Sequence, residues 1–305
     1  MGPAATRFAS SPSMTISDLP SRAQRWDDCD ADVRAWVEAI AEVFRDELGT
    51  ALVGIYLHGS LATGCYHRPK SDVDLLIVVR GALDDARRWR IGRRLLALAD
   101  ARPTVGTLEL SVVREEDARP FRHPLPYEFH FGEGVDERIR DGTYAHTPGA
   151  ADGDLGAHVI VARARGVALA GPPPAEVFGP VPWAELADSV LSDFAWIVED
   201  DHVLESPFYA VLNACRTLQL LREGEGTVAN KEEGALWALA HLPPEHHPVI
   251  EAALACYRSG APVTPETRRT GGRPWDASAL RAFRDFAAAE AARLAPKRGI
   301  RFPVL

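Results

Sequence analysis

The sequence lacks the signatures of several protein classes. Its 4 cysteines are widely separated and include no CxxC pair, so neither a zinc site nor a disulfide framework is expected. No stretch approaches the roughly 18 consecutive apolar residues of a membrane-spanning helix, and the N-terminus has no apolar run typical of a signal peptide. The 10 histidines form no HExxH or HxH metal motif. These absences predict a cytoplasmic protein with no membrane partner.

Positive charge is also scarce. The chain has 34 Lys and Arg against 43 Asp and Glu, a formal net charge of −9. Because nucleic-acid binders usually present a basic face, we do not expect nucleic acid as a partner. An acidic protein instead suits a cationic partner, or a small anion held through a metal ion. We expect a monomer.

Hydrophobic periodicity divides the 305 residues into three parts. Residues 1–28 begin with a Ser-, Pro- and Ala-rich stretch and are predicted to be disordered, with the translation start left open between Met1 and Met14. Residues 29–148 alternate helical and strand patterns, which predicts an α/β (α+β) domain with a small mixed sheet. From residue 149 to 305 the pattern changes to amphipathic helices separated by Gly and Pro, which predicts an all-α helical bundle.

Two aspartates open the apolar run "DVDLLIVV", residues 72–79. The run predicts a strand buried on both faces. Residues two apart in a strand point to the same face, so Asp72 and Asp74 project together and repel each other. A divalent cation is the usual compensation, and Mg²⁺ favours one or two carboxylates plus phosphate oxygens. Taken alone, a DxD pair more often caps a strand in solvent.

Neighbouring segments favour the metal interpretation. "HGS" ends the preceding predicted strand, where Gly59 allows positive φ and Ser60 offers a hydroxyl and an N–H to a phosphate. A third predicted strand, residues 107–113, contains Glu109, whose apolar neighbours alternate to the other face. Three acids at the ends of adjacent strands predict a functional site.

The segment "GSLATGCYHRPKSDVDLLIVV" resembles the Gly-Ser…Asp-x-Asp signature of polymerase-β-like nucleotidyltransferases. Later segments, including "LNACRTLQLLREGEGTVANKEEGALWALAHLPPEHHPVIEAALACYRSG", resemble the adenylyltransferases that modify streptomycin and spectinomycin. The resemblance spans roughly residues 35–295. It implies transfer of AMP from ATP to an antibiotic hydroxyl, with two Mg²⁺ ions held by Asp72, Asp74 and Glu109. Glu109 would also act as the general base.

The resemblance further implies nucleotide contacts by Ser71, Asp154, Arg216, Lys231 and Tyr257. Each has a structural alternative, such as a solvated arginine, a core tyrosine or a helix cap at Asp154. Lys231 opens a predicted helix, where the macrodipole disfavours a cation. That conflict favours a phosphate partner for Lys231.

For the antibiotic, the resemblance implies contacts by Trp196, Asp201 and Glu205, since carboxylates pair with guanidinium and ammonium groups. The alternative is a packed tryptophan beside a solvated acidic loop. Many relatives have an aromatic residue where this chain has Gly134, which puts the identity of the drug in doubt.

Two other functions stay open at this stage. One is a nucleotidyltransferase of the same fold that modifies another small molecule or a protein hydroxyl. The other is an inactive nucleotide sensor, which the presence of all three acids disfavours.

Overall fold

The computed structural model describes residues 21–295. The strands are β1 Leu52–His58, β2 Val73–Val79, β3 Leu108–Arg114, β4 Leu125–Pro126, β5 Phe129–Phe131, β6 Ala151–Asp152 and β7 Val167–Ala170. The helices are α1 Ala31–Leu48, α2 Gly59–Thr63, α3 Asp85–Asp100, α4 Glu115–Ala118, α5 Val135–Arg140, α6 Leu155–Arg165, α7 Pro174–Val177, α8 Trp183–Val198, α9 His202–Glu205, α10 Pro207–Glu223, α11 Lys231–His241, α12 His247–Arg258 and α13 Ala277–Leu294. No helix between residues 21 and 295 is long and apolar enough to cross a membrane.

The main sheet has the strand order β5-β3-β2-β1-β7. β2 and β3 are parallel, whereas the other neighbouring pairs are antiparallel, so the predicted small mixed sheet is confirmed. Its edge strand β7 lies in a stretch whose pattern favoured helix. There the chain leaves α6 at Gly166 and pairs with β1, so the tertiary partner overrides the local preference. The sheet thus takes one strand from beyond residue 148.

The apolar run of β2 is buried on both faces, as its sequence predicts. Leu75 and Ile77 pack in the core that contains residues of α1 and α3. Leu76 and Val78 pack in a second core that contains residues of α6. Because Asp74 has the same parity as Leu76, its side chain faces α6.

Helices α8–α13 form the predicted bundle around a third core, with α10 at its centre. Phe208 and Phe283 are among its buried side chains. Glycine allows the close packing of α10 and α11, since a Cβ on Gly234 would lie 2.6 Å from the Cγ of Arg216.

Residues 21–28 are packed against the domain, although the sequence predicts disorder through residue 28. Gln24 forms an isolated bridge with Tyr66. Trp26 is buried beneath the guanidinium of Arg34. Burial of a large aromatic ring offsets the low hydrophobicity of the surrounding stretch. Residues 1–20 and 296–305 lie outside the described residues.

Candidate active site

Three carboxylates share one face of the sheet. In the parallel register, Asp74 of β2 lies opposite Glu109 of β3. Asp72 precedes Asp74 by two residues and points to the same side. Leu108 and Leu110 pack on the opposite face, as the alternation of the sequence predicts. The structure therefore brings together the three acids predicted to bind metal.

The pKa values of two of these acids are raised, which indicates that the surrounding protein groups do not fully neutralise their negative charge. Burial, with the charges of Glu109 and Asp72, raises the pKa of Asp74 to about 7. Burial, with the charges of Asp72 and Asp152, raises the pKa of Glu109 to about 7. Glu109 is nevertheless exposed to solvent where it lines the cavity, so its carboxylate is open to a ligand. A cation placed among these carboxylates would restore their ionised forms.

The donor set fits Mg²⁺, which prefers carboxylate oxygens together with phosphate and water. Among residues 21–295, however, no three His, Cys, Asp or Glu side chains already surround one common point. Asp72 is instead engaged by Arg268 and by Thr107, whose N–H and hydroxyl each donate to Oδ1 at 2.6 Å. Completing a metal site would therefore require a change of partner at Asp72.

Gly59 and Ser60 adjoin the carboxylates at the end of β1. Gly59 has φ +64°, and a Cβ there would lie 1.9 Å from Oδ2 of Asp74. Only glycine therefore fits between the backbone and this carboxylate. The Oγ of Ser60 is buried without a hydrogen-bond partner among the described residues. This unpaired hydroxyl beside the acids fits the expected phosphate cradle.

A cavity of about 310 Å³ covers these groups. Its floor contains the three carboxylates, Gly59 and Ser60, and its walls come from α6, α8, α10, the start of α11 and α12. Apolar side chains line part of the walls: Ile160, Val161, Leu186, Val190, Leu220 and Val228. The size is within the range of small-ligand sites.

Two cations face the cavity from the helical half. Asn230 caps α11 by accepting from the N–H of Glu233 at 2.9 Å, so the helix begins at Lys231 as predicted. Burial, and then repulsion by Arg216, lower the pKa of Lys231. Its Nζ lies 5.1 Å from the ring centre of Tyr209, and no ion pair holds it within residues 21–295. The Nε of Arg216 is also buried without a partner there. Both cations are available to an anion.

Ser71 and Tyr257 line the cavity but are already bonded to each other. The Ser71 hydroxyl lies 3.0 Å from the hydroxyl of Tyr257, which also donates to the carbonyl of Cys65 at 2.7 Å. Ser71 additionally accepts from the backbone N–H of His67 at 2.9 Å. These bonds fix α12 against the loop that carries Asp72.

A second group of acids lies at the N-terminal end of α6. Asp154 occupies the N-cap position, but its side chain makes no cap hydrogen bond, unlike the alternative considered from the sequence. Burial, with the charges of Asp152 and Asp193, raises the pKa of Asp154 to about 6. Asp193 of α8 accepts from the hydroxyl of Tyr209 at 3.3 Å. All four residues line the cavity.

The residues expected to contact the antibiotic do not line the cavity. Trp196 is 37% exposed and stacks on His202, with ring centres 4.5 Å apart. Asp201 pairs with Arg281 at 2.6 Å and Arg284 at 3.4 Å, both on α13. Glu205 is exposed at the end of α9. Asp201 of the acidic loop thus has its compensating cations on α13.

Sequence comparisons agree with this two-part site. A nucleotidyltransferase domain model matches residues 37–120, and a model of the aminoglycoside adenylyltransferase C-terminal domain matches residues 176–272. An aminoglycoside (3'') (9) adenylyltransferase of Rhizobium radiobacter is 30% identical over 196 residues, 62% of this chain and 70% of the relative. The chain belongs to the aminoglycoside adenylyltransferase family. It is therefore a nucleotidyl-transferring enzyme.

Other members of the aminoglycoside adenylyltransferase family are similar over more of their length. A spectinomycin 9-adenylyltransferase of Staphylococcus aureus is 27% identical over 220 residues, 71% of this chain and 82% of the relative. A solved spectinomycin adenyltransferase from Enterococcus faecialis, with ATP and spectinomycin, superposes with a TM-score of 0.69. It is 18% identical, and the match covers 85% of this chain and 99% of that one. This last likeness supports the fold.

Sequence reasoning missed three residues of the site, which are Asp152, Asp193 and Arg268. Asp193 lies on the amphipathic helix α8. The periodicity of its sequence does not show whether an acid next to the apolar face points into a cavity or into solvent. Arg268 lies in the connection between α12 and α13, far from Asp72 along the chain. No local motif marks Arg268, because its partner is brought to it by tertiary packing.

Proposed function

We propose that the enzyme transfers AMP from ATP to a hydroxyl of a cationic aminocyclitol antibiotic, such as streptomycin or spectinomycin. One observation carries the proposal. A single cavity joins the three carboxylates to two cations that have no ion-pair partner within residues 21–295, and to a further group of acids beside α6 and α8. A nucleotide triphosphate suits the first two groups, and an ammonium-bearing substrate suits the third.

On the nucleotide side, Lys231 and Arg216 provide positive charge opposite Gly59 and Ser60. Phosphate oxygens would give Ser60 Oγ and Arg216 Nε the partners they lack. The apolar wall of the cavity can cover the adenine base. We therefore assign Gly59, Ser60, Arg216 and Lys231 to the triphosphate, whereas Ser71 and Tyr257 brace the loop around it.

Asp72, Asp74 and Glu109 are the residues that would hold Mg²⁺, which supplies charge neutralisation for the phosphates when bound. Glu109 takes the proton from the substrate hydroxyl, whose oxygen forms a bond to the α-phosphorus. The bond from that phosphorus to the bridging oxygen breaks, and pyrophosphate leaves. Glu109 is ionised when a cation lies among the carboxylates, so it is able to accept this proton at neutral pH.

On the substrate side, we assign contacts with the antibiotic to Asp193, Asp152 and Asp154, and no longer to the acidic loop. They line the same cavity as Glu109, whereas Asp201 does not. Burial, with repulsion by the neighbouring acids, raises the pKa of Asp154, and an ammonium group among these acids would offset both effects. The cavity is walled by α6, α8, α10 and α12, which favours a small molecule over a protein hydroxyl.

The proposal is tested by incubating the enzyme with ATP, Mg²⁺ and each of a panel of aminoglycosides and aminocyclitols, followed by mass spectrometry. We expect addition of one AMP group to streptomycin, spectinomycin or both, with stoichiometric release of pyrophosphate. ATP binding without transfer to any compound would favour a nucleotide sensor. AMP appearing on protein instead would favour the protein-modifying alternative. A cytoplasmic location fits the use of ATP.

A further inference from the structure

Arg268 extends from the connection between α12 and α13 to the carboxylate of Asp72. Its Nη2 donates to both carboxylate oxygens. The side chains are only 18% and 31% exposed, so the pair is partly shielded from solvent. The helical half thus places a permanent positive charge on a carboxylate that our proposed function assigns to Mg²⁺.

The two oxygens of Asp72 differ in how fully they are used. Oδ1 accepts from the N–H and the hydroxyl of Thr107, each at 2.6 Å, and also contacts Arg268. Among residues 21–295, Oδ2 is hydrogen-bonded by Arg268 alone. Because Thr107 fixes the rotation of the carboxylate, Oδ2 is the oxygen left for a metal ion. Arg268 occupies that oxygen.

The connection that carries Arg268 has a defined conformation. Trp275 Nε1 donates to the carbonyl of Thr270 at 2.8 Å, and the N–H of Thr264 donates to the hydroxyl of Thr267 at 2.9 Å. Gly271 has φ +66°, and a Cβ there would lie 2.2 Å from Sγ of Cys256. These contacts seat the turn directly against α12. Arg268 therefore reaches Asp72 from a turn whose backbone is fixed by these contacts.

The adjacent residue provides an internal comparison. Arg269 also crosses from the helical half to the sheet domain, where it pairs with Glu133. Both members of that pair are more exposed, at 47% and 80% of their side-chain surface. Neither is one of the three carboxylates. Arg269 thus carries the same charge as Arg268 and lies in the same turn, and it also reaches the sheet domain. It differs in that its partner is not one of the three carboxylates.

We propose that Arg268 competes with the divalent cation for Oδ2 of Asp72. A metal ion bound to Oδ2 would lie close to the Arg268 guanidinium, and the two positive charges would repel each other. Metal binding is therefore favoured when the guanidinium leaves Oδ2, and the ion pair raises the metal concentration at which the site fills. The proposal rests on the proposed function, since it takes Asp72 as a metal ligand.

The test measures metal binding directly. Full-length enzyme is stripped with a chelator, and Mn²⁺ alone is titrated in while free Mn²⁺ is followed by electron paramagnetic resonance. Arg268→Gln should bind Mn²⁺ about fivefold more tightly than wild type, the scale expected for loss of a competing, partly exposed ion pair. Arg268→Met serves as a second neutral variant. Arg269→Gln is the matched control and should bind like wild type.

The outcomes separate the two proposals. Equal or weaker Mn²⁺ binding by folded Arg268→Gln and Arg268→Met would overturn the competition, and weaker binding would instead assign Arg268 to holding Asp72 in place. An equal gain in Arg269→Gln would also overturn it, since a general loss of positive charge would then explain the effect. If wild type and both Arg268 variants bind no Mn²⁺ either alone or with a non-hydrolysable ATP analogue, the metal assignment of Asp72 fails as well. Circular dichroism establishes that each variant is folded.

Discussion

Asp74 and Glu109 lie directly opposite each other on the parallel strands β2 and β3, and both face the same cavity. Like charges in this position destabilise a sheet, so a neighbouring pair of acids has to be offset by protons or by a cation. Burial and the neighbouring carboxylates raise the pKa of each acid to about 7, so we expect protons to offset part of this charge when no cation is present. This relationship leads to the first three predictions.

Asp74→Asn should reduce AMP transfer by at least about 10²-fold, because the amide keeps the shape beside Gly59 but removes a negative ligand. Initial rates are measured over a range of Mg²⁺ concentrations with saturating ATP. Asp46→Asn is a suitable control, since Asp46 pairs with Arg94 at 2.7 Å on the exposed side of α1. Full activity of the Asp74 variant at high Mg²⁺ would exclude the proposed role.

Glu109→Gln should retain ATP binding while single-turnover transfer slows by about 10²-fold or more, the usual effect of losing a general base. Binding is measured by calorimetry and chemistry by rapid quench. If the variant binds ATP more weakly and yet transfers AMP at the wild-type rate once ATP is saturating, Glu109 is a metal ligand without a role in proton transfer.

The metal-free enzyme should lose stability as the pH rises through about 7. The pKa of Glu109 is raised from 4.5, so between these values the folded protein keeps a proton that the unfolded chain has released. The stabilisation is complete below the unfolded pKa and is lost above the folded one. Glu109→Gln cannot release this proton. In chelator, its melting temperature should exceed that of wild type at about pH 8 and match it at about pH 4.

A Glu109→Gln protein that melts like wild type at both pH values would show that the carboxylate repulsion is relieved by other means. Addition of Mg²⁺ should raise the melting temperature of wild type more at the higher pH, because ionised carboxylates bind the ion. Asp46→Asn, which changes an acid outside the cavity, should show the same Mg²⁺-dependent rise in melting temperature as wild type if the ion binds in the cavity.

Asp193→Asn should weaken binding of the cationic antibiotic by about tenfold to a hundredfold, as expected for a charge-assisted hydrogen bond. Asp201→Asn should leave binding unchanged, since Asp201 is already paired with Arg281 and Arg284 outside the cavity. Calorimetric titration of each drug into enzyme loaded with ATP and Mg²⁺ distinguishes the two variants. The reverse result would return substrate recognition to the acidic loop.

The sequence predicted the sheet strands that carry the catalytic acids because their signals are local. Alternation places Asp72 and Asp74 on one side of β2, and the apolar residues around Glu109 set its direction on β3. The start of α11 at Lys231 was also predictable, since "NKEE" forms a capping box through Asn230 and Glu233. In each case the information lies within a few residues of the side chain concerned.

The acidic loop shows the limit of such reasoning. In the sequence, no lysine or arginine lies next to Asp201, so its negative charge has no local compensation and suggests that the loop binds a cationic ligand. The compensating arginine, Arg281, lies about eighty residues later on α13 and reaches Asp201 only in the folded bundle. β7 is a similar case, because its strand conformation depends on the free edge of β1.

By itself, the sequence determined which residues of this enzyme carry charge, which faces of its strands are buried, and which family it resembles. Periodicity and short-range hydrogen bonds decide these features. Tertiary structure alone decided which charges neutralise one another. Arg281 forms an ion pair with Asp201, and Arg268 forms one with Asp72, whereas Lys231 faces the cavity. The physical reason is that electrostatic interaction depends on distance in space, and packing of the helical bundle sets that distance independently of separation along the chain.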